Sequence, residues 1–153
     1  MADVGAAAQF GTGHLRMFSP YTGERVEVNY RRRGRYDPDA LGQLAHFFRD
    51  WHKEQPGPLD PRLCDALSEL QRRLDGRPIQ VTCGYRTPTT NRLVGGEKNS
   101  YHMLGMAADI RVDGVSTQRL YRTLVSMKAG GVGIYPGQRF CHLDVGEFRT
   151  WRG

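Results

Sequence analysis

The chain has 153 residues, 39% of them apolar and 25% charged, with a net charge of +6 and a pI near 9.5. This length and composition describe one domain able to bury its own core, and they exclude a disordered or disulfide-held miniprotein. No apolar run approaches the ~18 residues of a membrane-spanning helix, and the positive charge favours an anionic partner without choosing among nucleic acid, lipid and cell-wall polymer.

Residues 1–13 are small and rich in Gly and Ala, which predicts a flexible N-terminal segment ahead of a domain over 14–153. The first eight residues lack the basic start and long apolar stretch of an intact signal peptide. Two alternating runs, Leu15–Phe18 and Arg25–Tyr30, flank Ser19-Pro-Tyr-Thr-Gly23 and predict a hairpin. Arg31-Arg-Arg-Gly-Arg35 reads as the solvated end of that hairpin. Asp39 predicts the cap of a helix running to about His52, with Leu41, Leu44, Ala45 and Phe48 on its inward face. A Gln55-Pro-Gly-Pro58 linker ends it. Asp60-Pro61 then has the cap-and-proline signature of a second helix, to about Leu74, burying Leu63, Ala66, Leu67 and Leu70.

Ile79–Cys83 reads as a strand, and Gly84 to Ser100 as a long loop of the kind that usually carries function. Ala107–Val112 predicts a strand, Ser116–Met127 a helix capped by Ser116, and Val132–Tyr135 and Phe140–Val145 two further strands. The sum is a single α+β domain, with helices packed on a small, mostly antiparallel sheet. Three cysteines, Cys64, Cys83 and Cys141, cannot form a complete disulfide framework and read as buried thiols. His14, His46 and His52 have no metal-ligand spacing, and Tyr85, Tyr101 and Tyr135 are explained equally well as cleft lining or as packing.

The chemistry concentrates in Ser100-Tyr-His102-Met-Leu-Gly105-Met-Ala-Ala-Asp109 and His142-Leu-Asp144. Two imidazoles and a carboxylate are what a catalytic Zn²⁺ needs if it keeps one position open for water. On one helix His102 and Asp109 would stand ~10.5 Å apart along the axis. That is too far for one ion with bonds of ~2.0–2.2 Å. The segment must therefore break, and Gly105 supplies the break. Strand alternation puts Ala108, Ile110 and Val112 on one face and Asp109 on the other; it likewise separates Cys141, Leu143 and Val145 from His142 and Asp144. Any one of these polar residues alone is most simply a surface group. Their agreement in phase on two strands points to a shared metal site, and it sends Cys141 to the core.

With Gly84-Tyr-Arg86-Thr-Pro-Thr-Thr-Asn91, Tyr21-Thr-Gly-Glu24 and Asp60-Pro-Arg-Leu63, these segments resemble the zinc peptidases of the D-Ala-D-Ala carboxypeptidase and hedgehog-type superfamily. The likeness is strongest to the YcbK-like murein endopeptidases and covers roughly residues 14–152. It implies a monomeric zinc peptidase with a surface cleft, acting on the peptide stems of peptidoglycan in the periplasm or cell wall, with no nucleic-acid partner. It implies zinc ligands His102, Asp109 and His142, and an Arg86 that binds a substrate carboxylate or steadies the oxyanion.

Two departures stand out. Several branches place the general base three residues before the second histidine, where this chain has Arg139, which cannot take a proton. Asp144 is the next candidate: it could accept the proton from water, the role expected here, or fix an imidazole from behind. Cys83 stands where relatives often carry Ser. A carboxypeptidase trimming terminal D-Ala, and a zinc- or wall-binding module without catalysis, remain the alternatives. A tight pocket would favour the former over an endopeptidase; an open groove would not.

Overall fold

The computed structural model describes residues 12–153. Residues 1–11, the greater part of the segment expected to be flexible, lie outside the described residues, and Gly13 already opens the first strand. Strands β1 (Gly13–Phe18), β2 (Arg25–Arg32) and β3 (Arg35–Tyr36) are followed by helices α1 (Pro38–Phe47) and α2 (Pro61–Arg73). Next come β4 (Ile79–Cys83), α3 (Pro88–Leu93), a 3₁₀ turn (Tyr101–Leu104) and β5 (Ala107–Val112). Helix α4 (Thr117–Met127) precedes β6 (Gly131–Tyr135), β7 (Phe140–Asp144) and β8 (Arg149–Arg152).

All eight strands form one sheet in the order β3-β2-β1-β4-β5-β7-β6-β8. Only β1–β4 and β6–β8 pair in parallel; the other neighbours are antiparallel. The α+β expectation therefore holds. Helices α2 and α4 touch each other and the sheet. Leu63, Leu67 and Leu70 of α2 and Leu120 and Leu124 of α4 are buried with Ile79, Val81, Ile110, Ile134 and Leu143 of the strands. A side chain such as Leu70 contributes about 1.5–3 kcal/mol by leaving water, so this layer is what holds the sheet in place. Cys141 is fully buried in it, as alternation required, and so is Cys64 of α2; Cys83 is only partly buried, against expectation, and all three cysteines are free thiols.

The first helix differs from expectation at both ends. Its cap is Asp37, whose carboxylate accepts from the Asp39 and Ala40 amides, and Pro38 takes the first helical position. Asp37-Pro38 thus repeats the signature read at Asp60-Pro61, where the Asp60 carboxylate accepts from the Arg62 amide. The helix stops at Phe47 because Asp50 is drawn away from its axis. The buried Asp50 carboxylate accepts from the Thr87 amide and hydroxyl, both at 2.9 Å, and from the His52 amide at 3.0 Å. Trp51, freed from the helix, stacks between Tyr21 and His52 at 4.7 and 3.8 Å.

The stretch 84–100 is not structureless. It holds α3, capped by Thr87, six residues long and so too short to show helical periodicity. Edge strands β3 and β8 were also unforeseen, being short and polar.

Gly105 makes the break expected of it. Its φ of +66° ends the 3₁₀ turn in the left-handed region, and its carbonyl accepts from the Asp60 amide at 2.9 Å. A Cβ there would overlap the Pro58 carbonyl and crowd Leu59. Gly95 has a similar φ of +68° but open space around it. Gly105→Ala should therefore lose about 3 kcal/mol of stability, combining left-handed strain with overlap, whereas Gly95→Ala loses about 1 kcal/mol. Urea denaturation midpoints of the two variants check the difference.

Candidate metal centre and active-site cleft

Cross-strand register builds the site. Asp109 of β5 faces His142 of β7 directly, and a register irregularity in β4 brings Cys83 opposite Asp109 on the other side. Beyond His142 the row continues through Gly133 of β6 to Trp151 of β8. Gly133 has no side chain because the Trp151 indole occupies that space, and the indole reaches over to within 5.2 Å of the His142 ring. His102 enters from the 3₁₀ turn, where the Ser100 hydroxyl caps its amide at 3.2 Å.

The sequence-predicted residues converge. Asp109 Oδ1 lies 3.3 Å from His102 Nε2 and 3.1 Å from His142 Nδ1. Each imidazole is oriented from behind. His102 Nδ1 donates to the Gly84 carbonyl at 2.7 Å, and His142 Nε2 donates to Asp144 Oδ2 at 2.9 Å. Those bonds leave Nε2 of one ring and Nδ1 of the other as lone-pair donors beside the carboxylate.

Arg86 meets the same carboxylate on its other oxygen, with Nη2 at 3.5 Å from Asp109 Oδ2. Its amide donates to the His102 carbonyl, its Nε to Cys83 Sγ at 3.2 Å and its Nη1 to Asn91 Oδ1 at 3.4 Å. The preceding Tyr85 amide bonds Phe48, and Thr87 bonds Asp50, so Arg86 is fixed on both sides.

Asp144 is placed differently from a group open to water. It is fully buried. Oδ1 accepts from the Gly131 and Gly146 amides and Arg149 Nη1 at 3.0–3.1 Å, while Oδ2 accepts from His142 and from Arg149 Nη2 at 2.8 Å. Arg139, at the position of the absent base, has a left-handed φ of +58°, and its carbonyl accepts from Arg111.

Burial acts against each charge here and is outdone by partners. It would lower the His102 pKa, but the adjacent Asp109 carboxylate and Cys83 raise it to about 10. It would raise Asp109, which the His102 charge and its hydrogen bond hold well below the usual carboxylate range. Asp144 is depressed likewise by bonds from His142, Arg149 and two amides.

Two of the three donor pairs have the spacing a metal needs. In tetrahedral coordination with bonds of ~2.0–2.1 Å, neighbouring donor atoms stand ~3.3–3.4 Å apart. Asp109 Oδ1 is within a few tenths of an ångström of that distance from a nitrogen of each ring. Among the described residues, the group whose donor atoms all lie within 4.8 Å of one another is Cys83, His102 and Asp109, without His142. However, Cys83 Sγ lies 3.7 Å from His102 Nδ1, the nitrogen already committed to Gly84. The thiol therefore stands behind the ring that Asp109 faces in front.

Around these groups lies a cleft of about 580 Å³, lined among others by Arg86, Glu97, Tyr101, Tyr135, Arg149 and Trp151. It adjoins a second hollow, which shares Arg86 and Val94 with it and includes Tyr85 and Trp51. Sequence reasoning missed Arg149 and Trp151. Their only signal was Arg-x-Trp, two same-face positions on a four-residue edge strand.

Residues 7–151 match the family described as peptidoglycan L,D-endopeptidase MepK. The chain belongs to the MepK family. It is 38% identical over 137 residues to the peptidoglycan L,D-endopeptidase MepK of Escherichia coli K12, covering 86% of this chain and 75% of that one. The probable MepK of Haemophilus influenzae is 37% identical over 139 residues, with the same coverage. A zinc D-Ala-D-Ala carboxypeptidase of Streptomyces albus G is 32% identical over 91 residues, 56% of this chain and 34% of that protein. The superfamily resemblance read from the motifs therefore holds, and MepK is the branch.

The His102–Asp109 pair makes the metal-free protein sensitive to pH. A histidine raised from 6.5 to about 10 stabilises the fold fully below ~6.5 and loses that contribution as pH climbs towards 10. The depressed Asp109 contributes above ~4 and loses it in acid. In chelator, the denaturation midpoint should fall between pH 6 and 10, and His102→Gln should flatten that fall.

Proposed function

We propose that this member of the MepK family is a zinc-dependent peptidoglycan endopeptidase, with His102, Asp109 and His142 as the zinc ligands. The observation that carries the zinc reading is the single Asp109 oxygen flanked by a nitrogen of each imidazole, both tautomers set by hydrogen bonds from behind. The zinc carboxypeptidase among the relatives adds to it. The names of the MepK relatives support an L,D bond in the peptide cross-links of the wall as the one cut.

When bound, zinc supplies Lewis-acid polarisation of the scissile carbonyl and a water that is nucleophilic near neutral pH. The chain's own residues do the rest. Arg86, held by Asn91, Cys83 and Asp109, presents positive charge where negative charge develops on the carbonyl oxygen. A second hollow beside the cleft, lined like it by Arg86 and Val94, offers room for the other arm of a cross-link. A carboxypeptidase would need a closed end instead.

Of the two roles open to Asp144, the geometry favours orientation. With no exposed surface and both oxygens engaged, it holds His142 with Nδ1 forward instead of taking a proton from water. Action on wall peptidoglycan fits a periplasmic or wall-associated protein, and no helix among the described residues is long and apolar enough to cross a membrane.

The test is digestion of purified peptidoglycan with separation of the released muropeptides. Cross-linked dimers should disappear with the parent protein, persist after chelation and disappear again when zinc is returned. His102→Ala should leave them intact; digestion at the parent rate would remove His102 from the metal site. Asp144→Asn should weaken zinc affinity by about 10–100-fold, as loss of a group orienting a ligand does. Full zinc binding with collapsed turnover would instead return Asp144 to the proton-accepting role.

A further inference from the structure

The cleft contains a second guanidinium that the reaction above does not use. Arg149 lies on β8, at the opposite end of the donor row from Arg86. Its Nη1 donates to Asp144 Oδ1 and to the Glu147 carbonyl, both at 3.1 Å, and its Nη2 donates to Asp144 Oδ2 at 2.8 Å. Arginine carries five N–H donors. Those three bonds consume the end of the guanidinium formed by the two Nη atoms. The Nε–H and the second Nη2–H, which lie side by side on the lateral edge, have no partner among the described residues.

That edge is a fork matched to a carboxylate. It is also held still. The guanidinium stands 5.0 Å from the Trp151 ring and 5.3 Å from the Tyr101 ring, while its other end is pinned by the fully buried Asp144. Yet its side chain keeps 44% of its exposure and lines the cleft. Arg86 offers less, being only 17% exposed with Nε, Nη1 and Nη2 each already bonded. Of the two cations flanking the metal donors, Arg149 is the one with a free fork.

The geometry points to Arg149 as a substrate-binding residue that selects cross-links carrying a free carboxylate beside the scissile bond. This rests on the endopeptidase reading and names its substrate class more narrowly. An L,D bond joins the carbonyl of an L centre to the nitrogen of a D centre. If that D centre belongs to a diamino acid bonded through its side-chain nitrogen, its own carboxylate stays free, one carbon from the scissile nitrogen. The lateral edge of Arg149 receives that group. The same guanidinium also braces Asp144, and Asp144 orients His142, so the residue that recognises the substrate stiffens a metal ligand.

The test compares defined cross-linked muropeptide dimers whose diamino-acid carboxylate is free or amidated. The zinc-loaded parent protein should favour the free acid by about tenfold to hundredfold in kcat/KM, the size expected for hydrogen bonds to a charged group. Arg149→Gln should bring the two substrates within about twofold of each other, chiefly by raising KM for the free acid. Arg149→Lys, which keeps the charge but not the fork, should fall between. Zinc content measured on each variant separates loss of recognition from loss of metal. A parent protein that cleaves acid and amide equally overturns the inference while leaving the endopeptidase intact. So do variants that lose both substrates in the same proportion. Cleavage of neither dimer by the zinc-loaded parent overturns the endopeptidase reading itself.

Discussion

One buried carboxylate organises this molecule. Asp109 is 6% exposed, and an ionised carboxyl so placed is costly unless its oxygens are paired. Oδ1 has an imidazole nitrogen on either side and Oδ2 has the Arg86 guanidinium. Two neutral rings, each presenting a lone pair, would repel that oxygen. Something positive has to stand among them. In the metal-free protein a proton on His102 fills that need, which is why its pKa climbs to about 10 against the pull of burial. A zinc ion placed among the same donors would replace the proton, so metal loading and His102 protonation compete for one position.

Holding three donors at such distances requires a stiff support, and the sheet is that support. Cys83, Asp109, His142, Gly133 and Trp151 lie in one row across five strands. Their spacing is that of strand pairing and does not depend on loop conformation. Only His102 comes from outside the row, and it is tied by the Gly84 carbonyl, the Ser100 cap and the left-handed Gly105 that turns the chain into β5. Each donor is backed by a different kind of group. A main-chain carbonyl backs His102, Asp144 backs His142, and Arg86 backs Asp109. Arg149 backs Asp144 in turn, so both ends of the row finish in a cation facing the cleft. That arrangement suits an anionic substrate and leaves the reacting centre little to reorganise.

Much of this was legible from residue order, and the places where it was not share a cause. The phase of Ala107–Val112 and Phe140–Val145 separated core from site correctly because alternation along a strand is local and both strands have one apolar face. Gly105 was legible because the seven-residue spacing from His102 to Asp109 excludes a continuous helix. The Asp37 cap was overlooked although it carries the same Asp-Pro signature as Asp60, since Asp39 stood nearer the apolar periodicity. Helix α3 and strand β8 were missed because six and four residues are too few to establish a period. The two roles of Asp144 could not be separated in the chain, because burial and the Arg149 fork come from residues in other strands.

The sequence by itself determined the fold class, the inward faces of the elements, the break at Gly105 and the family, because these follow from periodicity, backbone permissiveness and motif spacing. Only the tertiary structure decided which nitrogen of each imidazole faces Asp109, on which side of His102 the Cys83 sulfur stands, and that Arg149 shares the cleft with Arg86. Those depend on cross-strand register and on which hydrogen bond a side chain makes behind itself. Both are relations between segments far apart in the chain, and they exist only after the sheet has closed.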